Sequence, residues 1–118
     1  IIDAKLWENP DTVKLLFNDD GKVLYTSRTP VPYAKNGFNS DLGAYRIVGV
    51  FAFEWAVLKE FTEAPESRLE QLEACDSNRI FELSFDQYVA PIDYRECFSV
   101  DSPEDILMVE KVLKRHAT

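Results

Sequence analysis

Short apolar runs separated by turn-forming clusters open the chain, and the spacing of the apolar positions shifts from strand-like to helical further along. Val13 to Phe17 reads as a strand. Asn18-Asp19-Asp20-Gly21 is a tight turn with Gly21 supplying a positive φ, and Lys22 to Ser27 returns as the second strand of a hairpin. Upstream, Lys5 to Asn9 is polar and aromatic and stops at Pro10, which predicts a loop or broken helix leading into the hairpin. Downstream, Thr29-Pro30-Val31-Pro32-Tyr33 excludes helix and central strand alike, so the chain is expected to leave the sheet and cross the surface to Gly43.

Tyr45 to Phe53 is rich in β-branched and aromatic residues, and its nearly continuous apolar character predicts a central strand covered on both faces. Trp55, Leu58 and Phe61 then recur at helical spacing within Glu54 to Phe61, and Pro65 closes that region. Glu66 to Leu83 reads as helical, anchored by Leu69, Leu72 and Leu83. Asp76-Ser77-Asn78 are poor helix formers in its middle, there either for a ligand or because two short helices meet at a solvated corner. Tyr88 to Ile92 and Tyr94 to Val100 are strand-like. A last helix is predicted from Pro103 to about Arg115, with Ser102 as N-cap, Asp105 three residues on, and Lys111, Lys114 and Arg115 at the negative end of the dipole. Asp101 is left outside that helix, at the mouth of the strand-to-helix turn.

Strands alternating with helices imply an α/β sheet, whose ligands sit at the carboxyl ends of strands, and Asp101 lies at such an end. On spacing alone a turn or capping role for Asp101 is favoured over a metal or catalytic one. The 118 residues make one domain at most, and a net charge of −8 with a pI near 4.6 argues against a nucleic-acid or anionic-membrane binder. The most apolar run, Ile47 to Phe53, is too short to span a bilayer. Ile1-Ile2-Asp3 opens no secretory leader, and Cys75 and Cys97 fit reduced, buried thiols, so the cytoplasm is the expected compartment. The only histidine, His116, sits near the end of the last helix, and GxSxG, P-loop and HExxH motifs are all missing, which excludes a Ser/His/Asp triad.

Five blocks in order carry a resemblance: Asn9-Pro10-Asp11-Thr12-Val13-Lys14; Leu24 to Tyr33, with Ser27-Arg28-Thr29-Pro30 at its centre; Gly49-Val50-Phe51-Ala52-Phe53; Leu69-Glu70 with Glu73; and Val100-Asp101-Ser102-Pro103-Glu104-Asp105. Together they resemble the CMP-sugar synthetases, most closely the 3-deoxy-manno-octulosonate cytidylyltransferases (CMP-Kdo synthetases) of bacterial lipopolysaccharide assembly. The resemblance implies the C-terminal half of a nucleotide-diphospho-sugar transferase (Rossmann-like) α/β fold. Residues 1–118 would then be a single partial domain for sugar binding and dimerisation, with the nucleotide-binding half absent and a β-hairpin projecting to form a homodimer. It further implies CTP and an acidic sugar as substrates, Mg²⁺ as cofactor, and Asp101 as the metal-binding catalytic carboxylate. Arg28, Arg46, Ile47, Phe51, Asp76 and Arg79 fall at substrate-binding positions.

The chain departs from the family where it has Ile47 and Phe51 in place of the usual histidine and tyrosine, and Asp76 in place of a glutamate. Two alternatives stand beside a CMP-Kdo synthetase: a cytidylyltransferase for a different acidic or amino sugar, which Ile47, Phe51 and Asp76 would favour, and a non-catalytic dimerising module that keeps half the fold, which the absent nucleotide-binding half would favour. If Ile47 and Phe51 share one strand face, the sugar presents a less polar group to them while Arg79 or Arg46 meets its carboxylate.

Overall fold

A computed structural model describes residues 1–94, residue 100 and residues 103–116 of the chain. The expected broken helix before Pro10 is a short α1 (Ala4–Glu8), started by the Asp3 carboxylate, which accepts from the Leu6 N–H at 2.8 Å. Its buried Trp7 donates from Nε1 to the Val31 carbonyl at 3.1 Å and so ties α1 to the proline-rich crossover.

The hairpin forms as expected. Strand β1 (Lys14–Phe17) pairs antiparallel with β2 (Val23–Ser27). Asn18 Oδ1 accepts from the Asp20 and Lys22 N–H groups, and Gly21 takes a φ of 81°. The crossover that follows holds only a 3-10 turn (Ser40–Leu42) before the chain returns.

The long central strand predicted over Tyr45 to Phe53 does not form: β3 is Tyr45–Arg46 alone, antiparallel to β1, extended by one bond from Ile47 N–H to the Val13 carbonyl. The cause lies in its partner. β1 offers no ladder before Val13, because the chain there turns through Asn9 to Thr12, and Gly49 then bends the returning segment with a φ of 83°. Ile47 and Phe51 are therefore not two positions on one strand face. Phe53 instead packs its ring 5.7 Å from that of Phe61, which carries the segment onto the helix α2 (Trp55–Glu63).

The sheet of the described residues runs β2-β1-β3 and is wholly antiparallel, so the strand-end rule for parallel sheets does not locate a ligand here. Tyr88 to Ile92 is reduced to a single bridge between Lys22 and Tyr88. The predicted strand over Tyr94 to Val100, together with Asp101, Ser102 and Cys97, falls almost entirely outside the described residues.

The break expected in Glu66 to Leu83 is real but shifted. Helix α3 (Arg68–Glu73) ends at Ala74 in the left-handed region (φ 47°), and α4 (Ser77–Glu82) begins three residues later. Ser77 and Asn78 are buried rather than at a solvated corner. The Thr26 hydroxyl donates to Asn78 Oδ1 at 2.9 Å and lies 3.0 Å from Ser77 Oγ, so β2 recovers what these residues cost in helix propensity. Leu15, Val23, Ile80 and Trp7 form a small apolar core beside this polar seam. Helix α5 (Pro103–His116) matches its prediction.

Candidate functional site

A cavity of about 1020 Å³ opens between the turn after α1, the end of β2, the segment after β3, the α3–α4 junction and the first turns of α5. Arg28, Arg46, Ile47, Phe51 and Asp76 all line it, so five positions scattered over 49 residues of sequence meet around one space. Asp11, from the α1–β1 turn, and Asp105, from α5, add carboxylates to the wall.

Arg79 is not among the lining residues. Its guanidinium forms a two-point ion pair with the Glu70 carboxylate, donates to the Phe61 carbonyl at 3.1 Å and lies 4.6 Å from the centre of the Phe61 ring. Glu70 also closes the capping box of α3 by accepting from the Ser67 N–H at 2.9 Å. The hydrogen bond and charge of Arg79 outweigh burial and hold the Glu70 carboxyl below its ordinary value. Arg79 thus joins α2, α3 and α4, and the structure gives it a packing role where a substrate contact was expected.

Arg28 faces the cavity from the end of β2, held by main-chain carbonyls: Nη1 donates to Pro10 and Nη2 to Ala74, both at 2.8 Å, while Nε is shared between Glu73 and Ala74. Arg46 stands on β3 with its guanidinium carbon 5.9 Å from the centre of the Tyr94 ring. Beneath Arg28 lie two residues to which the sequence assigned no role, Lys14 and Glu73. Glu73 accepts from the Tyr25 hydroxyl (2.9 Å), the Ser27 hydroxyl (3.0 Å) and the Arg28 N–H (3.0 Å). Burial pushes its carboxyl up, but these donors together outweigh burial and hold it low. Lys14 is wholly buried. Its signals in the sequence were its place as the one polar residue of the Val13 to Phe17 strand and as the last residue of the first family block.

Among the described residues no group of carboxylate, histidine or thiol side chains could hold a metal, so Asp11, Asp76 and Asp105 do not make a Mg²⁺ site by themselves. Asp101 lies outside the described residues. No helix among them is long and apolar enough to cross a membrane.

Residues 2–87 match the family model described as cytidylyltransferase. The chain belongs to the cytidylyltransferase family. Within it, the chain is 33% identical over 113 residues to the 3-deoxy-manno-octulosonate cytidylyltransferase of Thermodesulfovibrio yellowstonii, covering 92% of this chain and 44% of that relative. It is 35% identical over 116 residues to the enzyme of the same name from Desulfatibacillum aliphaticivorans, covering 97% and 46%. A solved structure of CMP:2-keto-3-deoxy-manno-octonic acid synthetase complexed with CTP superposes with a TM-score of 0.82 at 28% identity, over 98% of this chain and 46% of that one. The chain therefore spans a little under half the length of the family members it matches, and its mixed α/β fold corresponds to part of theirs.

Proposed function

We propose that this chain forms the acidic-sugar side of a cytidylyltransferase that transfers CMP from CTP to 3-deoxy-manno-octulosonate or a related sugar, for bacterial cell-surface polysaccharide synthesis. The observation that carries the reading is a cavity with the Arg28 guanidinium in its wall, in a chain one-third identical to 3-deoxy-manno-octulosonate cytidylyltransferases over nearly its whole length. In the reaction the anomeric oxygen of the sugar bonds to the α-phosphorus of CTP as the bond from that phosphorus to the bridging oxygen of the pyrophosphate breaks. The hydroxyl proton leaves to water. Such a transfer depends on in-line placement and charge neutralisation more than on covalent help from side chains.

In this reading Arg28, with Arg46, meets the sugar carboxylate, Asp76 accepts from a sugar hydroxyl, and Ile47 and Phe51 flank the less polar edge of the sugar. Mg²⁺ is proposed at Asp101 on the family resemblance, its further ligands coming from outside the described residues; when bound it would neutralise phosphate charge. The test is pyrophosphate release by the full-length protein given CTP and a panel of acidic sugars. Turnover of at least one 3-deoxy acidic sugar is expected, and the reading fails if none releases pyrophosphate. In the same assay Asp101→Asn is expected to lower turnover at least tenfold while leaving the unfolding midpoint unchanged; lost stability with retained turnover would make Asp101 a capping residue.

A second reading, a cytidylyltransferase for a different acidic or amino sugar, is favoured by the apolar Ile47 and Phe51 in the cavity wall. The same panel separates the two by which sugar is turned over best.

A further inference from the structure

We infer that Glu73 and Lys14, neither of which lines the cavity, are positioning residues that hold Arg28 in the attitude an acidic substrate needs. The inference rests on the reading of the cavity as an acidic-sugar site.

Arg28 is fixed from three directions. Its N–H donates to the Glu73 carboxylate at 3.0 Å, its carbonyl accepts from Lys14 Nζ, and its guanidinium is stretched across the carbonyls of Pro10, Glu73 and Ala74. Those guanidinium acceptors are all neutral, and among the described residues Arg28 makes no ion pair. Of the five N–H groups of the fork, two are left without an acceptor among the described residues. A guanidinium oriented by carbonyl dipoles, with no carboxylate in ion-pair contact among the described residues, keeps open donors for an incoming anion.

Glu73 feels the charge of Arg28, but its carboxylate meets the Arg28 main-chain N–H while the guanidinium donates to the Glu73 carbonyl. The two carboxylate oxygens accept from the Tyr25 hydroxyl, the Ser27 hydroxyl and the Arg28 main chain, so Glu73 sets the path of the end of β2 instead of pairing with the guanidinium. Lys14 makes the case from the other side. Its ammonium is wholly buried and bonded to two carbonyls, Asn9 at 2.9 Å and Arg28. A methionine would fill that space without the cost of a buried charge, so the ammonium earns its place through the two carbonyls it joins. Both belong to segments that line the cavity.

The test compares two ligands on the full-length protein by calorimetry: 3-deoxy-manno-octulosonate and its analogue with the carboxylate reduced to an alcohol. Arg28→Ala, Glu73→Gln and Lys14→Met are each expected to weaken binding of the acid about tenfold and to change binding of the alcohol less than twofold. Glu73→Gln combined with Arg28→Ala is expected to be no worse than Arg28→Ala alone. In turnover the loss is expected in KM for the sugar, with kcat within twofold and KM for CTP unchanged. If Arg28→Ala discriminates the ligands while Glu73→Gln and Lys14→Met weaken both equally or neither, the positioning role is overturned and the cavity reading stands. If Arg28→Ala itself leaves both ligands unaffected, the cavity reading is overturned and this inference with it.

Discussion

Arg28 and Arg79 are both partly buried guanidinium groups, and what already holds each one separates their roles. Arg79 is neutralised by Glu70, with 15% and 10% of their side chains exposed, so removing it strands a buried carboxylate. Arg79→Ala is expected to cost about 3–5 kcal/mol in denaturant unfolding, as for other broken buried pairs, while leaving sugar affinity within twofold. A stable Arg79→Ala protein with weakened sugar binding would restore it to the site. The same pair sets a pH dependence. Glu70 and Glu73 both have folded-state pKa values below their ordinary 4.5, so as pH falls the unfolded chain takes up protons first. Their stabilisation is complete well above pH 4.5 and is lost as pH drops through the folded values, which unfolding midpoints at pH 7 and pH 4 will show, with a smaller difference in Glu70→Gln. In the cavity wall, Ile47 and Phe51 offer no partner to a sugar hydroxyl, and each hydroxyl left unpaired costs about 1–3 kcal/mol. Ile47→His with Phe51→Tyr is expected to shift preference toward 3-deoxy-manno-octulosonate, read as relative kcat/KM in the sugar panel; no shift would mean that these positions do not set the choice.

Among the elements, the joint that places the α3–α4 junction against the cavity is the polar seam between β2 and α4. Thr26 and Asn78 are both fully buried and bonded to each other. Thr26→Val leaves Asn78 Oδ1 without its donor and is expected to cost about 1–3 kcal/mol, whereas replacing both partners by apolar groups can be nearly neutral. A double-mutant cycle with Asn78→Leu measures this, and additive losses would show that the two side chains do not act as a pair. Because Ala74, Cys75, Asp76 and Ser77 all line the cavity, the single Thr26→Val change is also expected to disturb sugar binding, and its combination with Asn78→Leu to disturb it less.

As a whole molecule the chain is open. Its accessible surface is 8841 Å², against about 6600 Å² for a folded monomer of its mass, and its radius of gyration of 16.1 Å exceeds the roughly 13.5 Å of a compact chain this long. Large apolar side chains are among the exposed residues: Val50 is 87% exposed, Trp55 76% and Tyr33 85%. Surface of this kind is stable in water when another surface covers it. Because the chain spans under half the length of its relatives, the rest of the full-length protein is one such cover; we propose that the full-length protein is also a homodimer, and light scattering that returned a monomer at micromolar concentration would count against it. The hairpin expected to project toward a partner is covered on the α4 side, where Thr26 meets Asn78, while Leu24 of β2 remains 59% exposed.

The sequence by itself determined the elements whose signals are local. The Asn18–Gly21 turn, the two hairpin strands, the proline crossover, α2 and α5 follow from turn chemistry, proline geometry and 3.6-residue periodicity, and the ordered blocks placed the chain in its family. Of the six positions that the family resemblance marks for substrate binding, five line one cavity and Arg79 does not. What only tertiary structure decided were matters of partnership. A run such as Tyr45 to Phe53 is apolar whether or not a neighbouring strand exists, and β1 supplies a ladder only as far as Val13, so the strand stops at Arg46. Ser77 and Asn78 look solvated until Thr26 is placed beside them. Two arginines that read alike divide because Glu70 reaches Arg79 while Glu73 turns toward the main chain of Arg28, a choice made by contacts 9 and 45 residues apart in sequence.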